Sequence, residues 1–229
     1  RCRSKRGAPI ITIKDKREKH GLKDDQAGCP ESGYIMASQI HGGKAFNQKV
    51  IQRTGLAKLG ITIIKIALLV APYLDSGRVL VLDRGYGSVK LAYVLHHLGF
   101  RFILMCRKPR KSGTASKDGL PYDQLSKSKD KGDISYTFCT LINTACVRWV
   151  DSAEVYVLSN CAGPEVLQNV RRWDKTKGNF APRPEPYVVS VYQLLHGAID
   201  KSDRRQNEVG FNHKVFLYTS ALASVLSLS

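Results

Sequence analysis

Three kinds of residue in this chain could carry chemistry: aspartates at the ends of apolar runs, a dense basic cluster, and a few aromatic side chains among charges. Asp83 is the sharpest of these. It follows Val79-Leu80-Val81-Leu82, four apolar residues without a break, and precedes Arg84-Gly85-Tyr86-Gly87-Ser88. An apolar run bounded by turn residues reads as a short strand covered on both faces. The carboxyl end of such a strand is where α/β sheets place ligands. The plainer alternative is that Asp83 caps the next helix or shapes the turn. Asp200 lies on or beside a helical segment, with Asp203 three residues on and on the same face.

Arg107, Lys108, Arg110 and Lys111 form the densest charge cluster. Such a cluster suits phosphate contact, or else a solvated loop. Trp149 and Trp173 could stack on bases. Trp149 fits a strand layer better, while Trp173 falls in a polar stretch that decides nothing. His96 and His97 fit the surface of a helix. The six cysteines, Cys2, Cys29, Cys106, Cys139, Cys146 and Cys161, include no C-x-x-C pair, so no zinc site is indicated. Cys29 has no histidine or helix-start partner in sequence to activate it.

The elements that must position these residues follow from periodicity. Residues 56–75 read as a buried helix, apolar nearly all round. Residues 79–83 and 100–105 read as strands joined by a helix over 88–98 that stops at Gly99. The right-handed crossover rule makes those two strands parallel neighbours. Upstream, 10–13 and 34–40 can be strands, Gly42-Gly43 is a turn, and 20–33 is polar and poor in strand formers. Downstream, 107–133 reads as a basic loop. Strands are expected within 134–142, 145–150 and 154–158, then a proline-bearing loop over 160–186. Helical patterns follow over 187–205, interrupted by Gly197, and over 213–228.

The chain has 229 residues, 36 Lys plus Arg against 19 Asp plus Glu, a formal charge of +17 and a pI near 9.8. That balance points to a polyanionic partner, nucleic acid first and anionic membrane second. The longest apolar stretch, 56–74, carries Lys58, Lys65 and Pro72 and is a poor membrane span. The scattered cysteines read as reduced thiols of an intracellular protein. The chain starts at Arg1 and stops inside an apolar pattern, so it reads as a piece of a longer protein.

Several blocks, in order, resemble the transposase domain of the piggyBac family. They are Lys19-His20-Gly21-Leu22-Lys23, Ser32-Gly33-Tyr34, Gly43-Lys44, Leu82 to Ser88, Arg107 to Lys111, Trp149 to Ser159, and Tyr192 with Gly197 to Asp203. The resemblance implies an α/β fold: a ribonuclease H-like mixed sheet flanked by helices, with a basic loop and β-rich insertion after the second catalytic-type strand. Residues 1–106 would begin that domain, 107–186 would be the loop and insertion, and 187–229 its C-terminal helical part. The family holds two Mg²⁺ ions with three aspartates. Asp83 and Asp200 match two of these, with Asp203 as an additional candidate ligand.

The first family aspartate falls on Cys29, a soft donor poorly suited to Mg²⁺. Glu31 or Asp25 could replace it only through a shifted backbone. Gly85, Gly87 and Ala198 also depart from the family pattern. The implied reading is a catalytically degenerate transposase-derived domain that keeps non-specific DNA binding through Arg107, Lys108, Arg110 and Lys111. The resemblance also implies a nuclear protein and a homodimer. Two alternatives stand beside it. One is an active metal-dependent transposase or nuclease using Glu31 or Asp25. The other is a DNA-binding or protein-interaction module without catalysis.

Overall fold

The computed structural model describes residues 11–12, 20–40, 42–108, 119–174, 178–197, 199–201 and 217–226. In chain order the strands are β1 (Ile11–Thr12), β2 (His20–Gly28), β3 (Ile35–Ile40), β4 (Val79–Leu82), β5 (Arg101–Cys106), β6 (Ile134–Cys139), β7 (Thr144–Val150), β8 (Glu154–Ser159), β9 (Val166–Asp174), β10 (Asn179–Pro186) and β11 (Leu217–Leu226). The helices are α1 (Gly43–Thr54), α2 (Ile61–Val70), α3 (Val89–His97) and α4 (Tyr187–Leu195). Among the described residues, nine strands make one sheet in the order β1-β2-β11-β4-β5-β8-β7-β6, with β3 also on β2. β9 and β10 form a separate hairpin.

The centre of the sheet follows from the apolar run at 79–82. All four residues are buried. Alternate side chains of a strand point to opposite faces, so a run without polar members needs cover on both. Leu80 and Leu82 pack with Phe102, Leu104 and the apolar faces of α2 and α3. Val79 and Val81 pack with Ile103, Val147, Trp149 and the α4 residues Val188 and Val189. Leu80 and Leu82 are both 0% exposed; burial of each contributes about 1.5–3 kcal/mol. β4 and β5 pair in parallel, Val79 with Arg101 through Leu82 with Leu104, as the crossover rule requires. The strands from 34–40, 79–83 and 100–105 thus share one mixed sheet with a helix from 56–75 against one face. This is the expected α/β arrangement.

Five expectations need correction. The helix over 56–75 is broken: α2 begins after Gly60, whose φ of 87° no helix accommodates, and yields to a 3-10 turn at Ala71–Tyr73 containing Pro72. The polar stretch 20–33 contains a full strand, β2, because its polar residues find partners. Asp24 accepts from Gln26 Nε2 at 2.9 Å and Ser38 Oγ at 2.6 Å, and Asp25 faces Lys65 of α2 at 3.7 Å. Gly42-Gly43 is not only a turn, since α1 starts there; with no buried residue, α1 leaves little apolar signal.

The proline-bearing stretch 160–186 holds the β9–β10 hairpin. Pro182, Pro184 and Pro186 sit at alternate positions, so their nitrogens all face the edge away from β9 and cost no ladder bond. Finally, within the helix expected over 213–228, the described residues Leu217–Leu226 are instead a strand, β11, parallel to β2 and antiparallel to β4. A segment with an open strand edge on each side gains two ladders that a helix would forgo.

The hairpin is fastened inward. Trp149, 2% exposed, donates its indole N–H to the Pro184 carbonyl at 2.9 Å. Arg172 and Arg183 meet Asp151 at 3.2 and 3.4 Å. On β7, Arg148 is 1% exposed and donates to Asp133 at 3.1 Å and Glu154 at 2.8 Å. Lys108 closes on the same Glu154. The Lys108 and Arg148 hydrogen bonds hold the Glu154 carboxyl below its ordinary value. A carboxylate depressed by folding stabilises above its unfolded value and loses that contribution as pH falls through its folded value. Glu154→Gln is therefore expected to cost about 1–3 kcal/mol at neutral pH and to flatten the acid side of the stability curve. Urea melts from pH 7 to pH 3 check this; parallel acid slopes for both proteins would refute it.

Candidate catalytic carboxylate site

Asp83 is the first residue past β4, in a turn closed by the Tyr86 N–H on the Asp83 carbonyl at 2.9 Å. Its carboxylate accepts from the Arg84 N–H at 2.6 Å. The cap of α3 is Ser88, whose Oγ accepts from the Leu91 N–H at 3.2 Å. Asp83 is thus a turn residue but not the helix cap, and its carboxylate is exposed. Opposite it stands Tyr192 of α4, with its phenol oxygen 3.5 Å from Asp83 Oδ1. Burial, then the Asp83 charge, raise the Tyr192 phenol well above its ordinary value; Asp200 adds to this and Arg84 opposes it. Tyr192 therefore lies in the field of both carboxylates and stays a donor. The His196 ring stacks on it with centroids 5.1 Å apart and planes 12° from parallel.

Asp200 is exposed in a helical turn at 199–201. The turn is pinned to the end of β2. Ile199, 2% exposed, approaches Gly28 so closely that a Cβ there would lie 3.2 Å from its side chain. Lys201 donates to the Pro30 carbonyl at 2.8 Å. Cys29 sits between those contacts, at the start of the 29–34 turn, where its N–H bonds Tyr34 O and its carbonyl accepts from the Gly33 N–H, both at 2.8 Å. The thiol is lowered from its ordinary value, chiefly by a hydrogen bond with Ser32.

The sheet does not bring Cys29 beside Asp83. Gly28 and Val81 both pair with Ser224, β2 running parallel to β11 and β4 antiparallel to it. β2 and β4 therefore run in opposite directions. The chain leaves Gly28 toward the level of Leu80, away from Asp83. Asp25 is buried against Lys65 under α2, and Glu31 is exposed in the 29–34 turn. Arg107 and Lys108 follow β5, with Lys108 held on Glu154. Asp203, Arg110 and Lys111 lie outside the described residues. Trp149 packs in the strand layer, as its surroundings in sequence suggested.

Arg84 and Ser32, which the sequence offers only as members of matching blocks, and His196, which it does not single out, are neighbours of the site. Among the described residues, no three His, Cys, Asp or Glu side chains come together in a way that could hold a metal ion. Two hard cations need converging oxygen donors. The described set is the Asp83 carboxylate facing the Tyr192 phenol, Asp200 in the 199–201 turn, and the Cys29 thiol in the turn after β2. These described residues do not fit a two-ion clamp.

A family model described as Transposase IS4 matches residues 3–228. No curated protein matches the chain. Among solved structures, the chain is similar to a piggyBac transposase seen by cryo-EM in a synaptic complex with hairpin DNA. The TM-score is 0.59 at 18% identity, over 92% of this chain and 38% of that one. At that identity the likeness is one of fold, and the chain spans well under half the length of that transposase.

Proposed function

The chain belongs to the Transposase IS4 family; from that premise we propose that it is a piggyBac-like transposase-derived domain, that its catalytic site is degenerate and that it works by binding DNA without sequence preference. The observation that supports the degenerate reading is the opposed direction of β2 and β4: the residue after β2 is a thiol, Cys29, and the chain there runs toward the level of Leu80 and not toward Asp83. A thiol is a soft ligand, unlike the oxygen donors that Mg²⁺ selects. The alternative carboxylates do not favour activity: Asp25 is occupied by Lys65, and Glu31 is solvent-facing.

DNA binding rests on charge. The excess of 36 basic over 19 acidic residues includes exposed Lys127, Lys129 and Lys131 ahead of β6, together with Arg107 and Lys108. Among the described residues, no helix is long and apolar enough to cross a membrane.

The test is Mg²⁺- or Mn²⁺-dependent strand cleavage by the unmodified chain, Cys29→Asp and Asp83→Ala. The unmodified chain is expected to stay at the Asp83→Ala background. Cys29→Asp is expected to stay there too, since the chain at 29 runs toward the level of Leu80 and not toward Asp83. Cleavage by the unmodified chain that vanishes in Asp83→Ala overturns the degenerate reading and promotes the alternative of an active nuclease.

A further inference from the structure

The β9–β10 hairpin carries a face that the carboxylate site does not use. Strand alternation splits its residues cleanly. Arg172, Arg183 and Glu185 point inward to the ion pairs with Asp151 and to α4. Arg171, Trp173, Phe180 and Pro182 occupy the opposite face. Trp173 and Phe180 are cross-strand partners, 52% and 55% exposed, with rings edge to face and centroids 5.3 Å apart. The Arg171 guanidinium lies 5.9 Å from the Phe180 ring centroid. Two large aromatic rings held half in water are costly to a monomer unless they meet something. A cation beside them selects against a purely apolar occupant.

The hairpin also keeps a fixed place relative to Asp83. Glu185, 1% exposed, accepts from Ser190 Oγ at 2.7 Å and Gln193 Nε2 at 2.9 Å, both on α4. α4 in turn presents Tyr192 to Asp83.

We propose that this outward face is a stacking platform for the unpaired bases of single-stranded DNA, with Trp173 and Phe180 taking successive bases and Arg171 a neighbouring phosphate. The proposal rests on the DNA-binding reading above and deepens it. Stacking on aromatic rings beside a basic track is how unpaired strands are held without sequence preference. Paired bases offer no free π face, so the platform adds nothing to duplex binding, which charge alone carries. A protein partner would use the rings but would gain nothing from unpaired bases.

The test compares an oligothymidylate of about 20 nucleotides with a duplex of the same length, at one fixed low salt concentration. Trp173→Leu keeps bulk and strand preference but removes the ring. It is expected to lower affinity for the single strand about five- to a hundredfold and to leave the duplex unchanged. Phe180→Leu is expected to do the same. The chain has two tryptophans, and Trp149 is 2% exposed, so single-strand binding should quench the emission of Trp173. This readout needs no variant to fold.

Equal losses on both DNAs, no loss on either, or an unquenched Trp173 would overturn the platform. If the unmodified chain binds the duplex but Trp173→Leu leaves the single strand unaffected, only the platform fails. If the unmodified chain binds neither DNA, the broader DNA-binding reading falls with it.

Discussion

Raising salt from about 50 to about 200 mM weakens duplex binding by about three decades if the chain neutralises six phosphates. Each phosphate contact releases a condensed counterion, and the slope of log affinity against log salt is about −0.9 per contact. A formal charge of +17 can supply six contacts even with part of the basic set engaged internally, as Lys108 and Arg148 are on Glu154. The same argument makes unrelated duplexes nearly equivalent, because contacts to phosphate carry no sequence information. Titrations of two unrelated duplexes across that salt range decide the matter. A flat response, or a strong preference for one duplex, refutes charge-driven binding.

Gly87→Ala is expected to be the most damaging small substitution in the turn after β4. A methyl there would fall inside the van der Waals surface of the Met105 carbonyl oxygen and only 2.9 Å from Cys106 Sγ. The obstacle is backbone of β5, buried in the sheet, so it cannot swing aside as a side chain could. Overpacking of this kind costs about 3 kcal/mol, a fall in melting temperature of about 6–12 °C for a domain of this size. Gly85, two residues earlier, has nothing within 4 Å of an added Cβ. Gly85→Ala should be neutral, or stabilise by about 0.4–1 kcal/mol through the unfolded chain. Thermal melts of the two variants check the pair, and similar melting temperatures would refute it. Any larger residue at 87, threonine included, is excluded by the same contact unless the turn moves off β5.

These contrasts show what was legible in sequence. The run at 79–82 announced a strand covered on both faces, because four apolar residues in succession have no other economical place in a sheet. The crossover to β5 followed from handedness. Asp83 was legible for the same reason, since it ends that run. β2 was not, because Asp24-Asp25-Gln26 read as surface. Ser38 and Lys65, which make their burial tolerable, are distant in sequence. The β9–β10 hairpin was hidden by prolines whose alternate spacing places them all on one edge. β11 was hidden because its strand character comes from two ladders with residues far up the chain. The relation between Cys29 and Asp83 depends on β11, so the site's geometry could not be read before that strand was placed.

β11 has a consequence for how the molecule assembles during synthesis. Among the described residues, the β1-β2-β3 group and the β4-β5-β8-β7-β6 group share no ladder of their own, and β11 bridges them. On a ribosome, β4 can pair with β5 as soon as Cys106 has emerged, and β2 with β3 by Ile40. The facing edges of the two groups find their common partner only when Leu217–Leu226 appears. Closing so long a loop adds little to its entropic cost per residue, but non-local pairing of this kind is slow. Through most of its synthesis the chain therefore carries two bare strand edges, the state in which one nascent molecule can pair with another.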